Sequence, residues 1–153
     1  SQMAEAIVNA RLGDAWQAFS AGTQPAGYVH PLARRALAEI GVPHKGRSKH
    51  AGEFRDRPFD LVVTVCDDAA EHCPVWLGRG QRLHLGFPDP AQATGTEDEV
   101  LAVFRAVRDE IAHQVPELLR RWEGKQRLVE MNGSKNDEEV QFHGRADSSC
   151  SNR

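Results

Sequence analysis

The chain has 153 residues, 40% of them hydrophobic and 27% charged, with a net charge of −3 and an isoelectric point near 6.1. That length suits one domain with its own core, and the slightly acidic balance excludes a large phosphate-tracking surface, and with it nucleic acid as the main partner. No apolar run approaches the roughly 20 residues needed to cross a bilayer, and the N-terminus carries no basic-then-apolar signal.

In chain order, Ser1 is placed to cap a short helix filled by Ala4, Ala6, Ile7, Val8 and Ala10 and stopping near Gly13. Trp16 to Phe19 reads as a strand running into SAGTQPAG, a Gly- and Pro-built loop. His30 to Ile40 is helical, with Leu32, Ala36, Leu37 and Ile40 on one face and Pro31 in the first turn. RSKHAGEF is a short helical segment. FDLVVTVC, residues 59–66, is the strongest strand, a continuous apolar run suited to a parallel sheet covered on both faces. RLHLGF, 82–87, is a second strand, ended by the rigid loop FPDPAQATG. Thr96 and Glu99 form a capping box that opens a long helix. Its expected inner face is Val100, Val103, Phe104, Val107, Ile111, Leu118 and Trp122, with a kink at Pro116.

Alternating strands and helices predict an α/β layer structure over residues 1–124. From 125 to 153 the chain turns polar, with apolar residues too scattered for a buried face, and is expected to be a disordered tail.

Cys66 and Cys73 stand seven positions apart in VTVCDDAAEHCPVW. Three cysteines in a chain without a secretion signal point to a reducing, cytoplasmic compartment, where cysteine pairs are more often catalytic, redox-active or metal-binding than structural. Cys66, ending a buried strand, also suits a small core hydrophobe, whereas Cys73 follows a polar segment and belongs near the surface. A metal site from Cys66, His72, Cys73 and His84 matches no common zinc spacing. Were 66–73 one helix, the two Cα atoms would be about 10 Å apart along its axis, against the roughly 4.4–6.8 Å of a disulfide. Oxidation must therefore bend or unwind the segment, which makes the pair a candidate switch.

SQMAEA, FSAGT, DLVVTVCD with its second cysteine in CPVW, HLGFPDPA and FRAVRDEI occur in an order that resembles the arsenate reductases of the thioredoxin-coupled class. These belong to the low-molecular-weight tyrosine phosphatase superfamily, and the resemblance covers roughly residues 1–122. It implies a three-layer α/β fold with a four-stranded parallel sheet in order 2-1-3-4, and a catalytic Cys-x5-Arg loop between the first strand and first helix. It further implies a cysteine relay. The loop thiolate attacks arsenate; Cys66 attacks the loop sulfur and arsenite leaves; Cys73 attacks Cys66; thioredoxin reduces the Cys66–Cys73 disulfide. Asp89, between Pro88 and Pro90, matches the family's general acid, although spacing alone also suits a turn-forming Asp. No organic cofactor is implied. Potassium, held near the loop in some members, is not expected: Glu5 and Ser20 match two ligands, but His50 stands where an Asp belongs.

In the resembling enzymes SQMAEA directly follows the Cys-x5-Arg loop, and this sequence starts at that Ser. The expected sheet therefore lacks strand 1, and arsenate turnover by residues 1–153 is expected near zero. Cys73 and Arg79 have the literal spacing, but Pro74, Val75, Trp76 and Leu77 cannot make a nest of convergent amides. Two alternatives stand beside the reductase. A tyrosine phosphatase would share Asp89 but not need the relay thiols, and a non-enzymatic remnant would bind a partner through its exposed sheet.

Overall fold

The structure, a computed structural model, describes residues 1–66 and 79–131, with Cys66 and residues 127–131 described by backbone only. Three helices, α1 (Gln2–Arg11), α2 (Pro31–Ala38) and α3 (Glu97–Met131), accompany two strands, β1 (Leu61–Cys66) and β2 (Gln81–Phe87). The strands pair in parallel, Leu61 opposite Gln81 and Thr64 opposite His84. The register then shifts so that Cys66 meets Phe87, leaving one extra residue on β2 at Leu85–Gly86. This is the α/β arrangement with a parallel sheet that the resemblance implied, with two strands among the described residues.

Helix starts follow their local chemistry. Pro31 opens α2 behind His30, whose side chain accepts from the Leu32 N–H, and Thr96 Oγ1 accepts from the Glu99 N–H at 3.2 Å ahead of α3. Leu61, Val65, Leu83 and Leu85 of the sheet turn toward a core built on Ile7, Leu37, Leu101 and Phe104, each 2% exposed or less. α1 and α2 both pack on α3, and Trp16 meets Trp122 edge-on at 5.5 Å while the Trp122 Nε1–H donates to Gln81.

Several expectations need correction. Residues 16–19 form no strand: Asn9 of α1 takes the backbone groups of Ala18, donating to its carbonyl (3.0 Å) and accepting its N–H (2.8 Å), and just beyond the segment Glu5 accepts the Ser20 N–H (2.9 Å). Of RSKHAGEF only Ala51–Phe54 is helical, as a 3₁₀ turn capped by His50. The buried stripe of α3 is Leu101, Phe104, Val107, Arg108, Ile111, Val115, Leu119 and Trp122, whereas Val103 is 37% exposed. α3 runs unbroken past Pro116, whose missing N–H leaves the Ala112 carbonyl without a helical donor. The helix continues to Met131.

Arg108 lies in an otherwise apolar stripe because it has a buried partner. Its guanidinium donates to the Ala36 carbonyl at 2.8 Å and to Glu39 at 3.2 Å, while Arg105 grips Glu39 with two bonds of 2.8 and 2.7 Å. These bonds hold the Glu39 carboxyl down at about 2 against its ordinary 4.5. A lowered carboxyl contributes stability above its ordinary value and loses it as pH falls toward the folded value. The urea midpoint of the native chain is therefore expected to drop between about pH 4.5 and pH 2 more steeply than that of Glu39→Gln, which lacks this titration. Equal slopes would remove the pair from the acid response.

Candidate oxyanion site at the carboxyl edge of the sheet

In open α/β sheets ligands bind beyond the carboxyl ends of the strands. Three features bear on a site there. β1 ends at Cys66 opposite Phe87, and two residues later comes Asp89. Asp89 is exposed, its backbone is held between two prolines, and its carboxylate caps the short 3₁₀ turn Pro90–Gln92 by accepting the Ala91 N–H at 3.0 Å and the Gln92 side chain at 3.4 Å. The turn-forming and acid readings of Asp89 are thus compatible.

The third feature is the start of α1. The backbone nitrogen of Ser1, at the helix start, lies within electrostatic reach of Asp89 and Glu5. Ser1 contributes no side-chain cap, and the first N–H groups of a helix have no carbonyl one turn back. Such amides, with the positive end of the helix dipole, form an anion cradle. Glu5 in the same turn would oppose an anion were it free. It is instead buried against Lys49, whose ammonium lies 3.1 Å from Oε2 with Lys49 8% and Glu5 12% exposed. The Ser20 N–H and hydroxyl also donate to that oxygen, and the Lys49 ammonium donates to the Arg47 carbonyl at 2.9 Å. The helix start therefore keeps its positive field.

A cleft of about 190 Å³ opens beside this start, lined by Ser1, Gln2, Ser20, Tyr28 and Lys49 among others. Gln2 Oε1 is buried beside it with no hydrogen-bond partner among the described residues.

Glu5 and Ser20 meet as the sequence match suggested, but His50 does not join them. Its Nδ1 accepts the Gly52 N–H at 2.9 Å, and Lys49 supplies the charge on Glu5. A carboxylate already carrying an ammonium does not fit a potassium ion. No group of three or more metal-binding side chains occurs among the described residues. Cys73 lies in 67–78, outside the described residues, so the structure does not test its approach to Cys66. Lys49 escaped the sequence reading, since one lysine in a polar loop carries no signal that it is buried against a helix far away in the chain.

The chain matches the low molecular weight phosphotyrosine protein phosphatase family over residues 1–130. It belongs to that family. Similar curated members include an arsenate reductase of Halalkalibacterium halodurans, 44% identical over 119 residues that span 75% of this chain and 83% of the relative. Another is an arsenate reductase of Bacillus subtilis, 42% identical over 121 residues, 76% and 84% of the two chains. Among solved structures, an arsenate reductase in its reduced state superposes with a TM-score of 0.62 at 25% identity, covering 79% of this chain and 88% of that one. An arsenate reductase from Archaeoglobus fulgidus gives 0.55 at 32% identity, covering 76% and 87%. Within this phosphatase family, then, the chain is similar to members that carry the reductase name.

Proposed function

We propose that this chain is the arsenate-reducing domain of an arsenate reductase, acting in arsenic detoxification. The observation that carries the reading is the position of Cys66 at the end of β1 opposite Phe87, two residues before Asp89, with Asp89 in turn within electrostatic reach of the start of α1. The α1 amides hold the oxyanion. A thiolate of a Cys-x5-Arg loop, which the resemblance sets immediately before Ser1, attacks arsenic, and Asp89 gives a proton to the departing oxygen. Cys66 then attacks the loop sulfur. The Cys66 thiolate supplies the electron pair of the new S–S bond; the S–As bond breaks and its pair stays on arsenic, which falls from As(V) to As(III) and leaves as arsenite. Cys73 attacks Cys66, returning the loop thiol, and a thioredoxin-like dithiol reduces the Cys66–Cys73 disulfide. Such a cycle suits the reducing cytoplasm. No helix among the described residues is long and apolar enough to cross a membrane.

The test is arsenate reduction coupled to thioredoxin. Residues 1–153 assayed alone are expected to give no turnover, and the same chain preceded by an apolar strand and a Cys-x5-Arg loop is expected to turn over. In that longer form Asp89→Asn should lower kcat by about 10²–10⁴-fold. A longer form that hydrolyses aryl phosphates, leaves arsenate untouched and works with Cys66 and Cys73 both replaced would be a phosphatase, and would end the reductase reading.

A further inference from the structure

His44 borders the Glu5–Lys49 pair and has no part in the cycle above. Its ring is fixed by the chain around it. Nδ1 accepts the Gly46 N–H at 3.1 Å, so the neutral imidazole carries its proton on Nε2. That Nε2 is buried and has no hydrogen-bond partner among the described residues. Across the gap stands Glu5: a Cβ placed on Gly46 would lie 3.3 Å from His44 Nε2 and 3.0 Å from Glu5 Oε1. Only the missing side chain at Gly46 lets the two groups border one space. That space lies in a cleft of about 280 Å³ lined by Glu5, Asn9, Pro43, His44, Lys45 and Gly46.

We propose that His44 is a positioning residue whose proton controls the Glu5–Lys49–Ser20 junction beneath the start of α1. Neutral His44 pins the turn that carries Lys49. A protonated ring loses its acceptor at Nδ1, releases the Gly46 N–H, and presents a second cation to Glu5 in competition with Lys49. The surrounding charges belong to three elements: Glu5 on α1 favours the proton, while Arg34 on α2 and Lys49 on the same loop oppose it. Burial opposes it most, so the imidazole titrates below its ordinary 6.5. Protonation is therefore resisted at neutral pH and is forced only in acid, where the junction loosens. The consequence for catalysis rests on the proposed oxyanion site; the junction itself does not.

Amide hydrogen exchange, corrected for the intrinsic effect of pH, separates the two. The Gly46 amide reports the His44 bond and the Ser20 amide reports Glu5. In the native chain both are expected to lose protection severalfold as pH falls below 6.5, the ordinary imidazole value. His44→Asn retains a side-chain acceptor two residues before Gly46 but does not titrate, so protection at both amides should be kept and flat across the same range. His44→Ala should leave Gly46 unprotected at every pH. An unchanged native profile, or the same acid step in His44→Asn, overturns the proposal. Should a variant fail to fold, nitrogen-15 NMR of the native imidazole decides: a neutral ring protonated on Nδ1 overturns it, and an Nε2–H ring whose titration coincides with loss of Gly46 protection supports it. Failure of arsenate turnover leaves these readouts unaffected and counts only against the reductase reading.

Discussion

Mild oxidation of the reduced chain is expected to join Cys66 to Cys73 within one molecule, with the loss of two hydrogens by mass and closure of an eight-residue ring mapped by digestion. The third cysteine, Cys150, provides the control. Cys150→Ser should leave the product intact, whereas Cys66→Ser or Cys73→Ser should abolish it. The physical requirement is demanding. β1 is extended up to Cys66, and its backbone pairs with Phe87 there. A loop bringing the second Cα to the roughly 5.5–6 Å of a disulfide must fold back on that strand end rather than continue away from it. Thioredoxin, with a couple of about −270 mV, should reduce the bond readily. A disulfide resistant to thioredoxin would be a structural staple. Thiols that pair only with Cys150, or not at all, would remove the relay and with it the reason to prefer reduction over hydrolysis.

The largest expected loss of stability comes from Phe104→Ala. Phe104 is 2% exposed, lies in the α3 stripe that receives α1 and α2, and has the His30 ring 4.6 Å from its own. Truncation there leaves a cavity that neighbouring helices cannot all close, at a cost of about 3–5 kcal/mol. For a chain of this size that is a fall in Tm of roughly 10–15 °C. Val103, one residue earlier and 37% exposed, gives the internal comparison: Val103→Ala should cost less than about 1 kcal/mol. Similar losses for the two would mean that the stripe is wrongly placed. Circular-dichroism melts of both variants at neutral pH measure the difference directly.

Local chemistry in the sequence was enough for most of the elements. The β-branched run at 61–66, the apolar run before FPDP, the capping threonine at 96 and the proline opening α2 each act over a few residues, and each element appears where that chemistry puts it. The turn at Asp89 was legible because two prolines hold its backbone wherever the rest of the chain goes. Tertiary structure alone decided the rest. A helix rich in apolar residues offers several faces, and only packing against α1 and α2 selected Leu101 over Val103 and admitted Arg108 for the sake of the Ala36 carbonyl. The segment at 16–19 had the composition of a strand, but Asn9 took the backbone groups of Ala18 before any ladder did. Lys49 lies 44 positions from Glu5, and an ammonium and a carboxylate bury each other's charge only once the fold has brought them together.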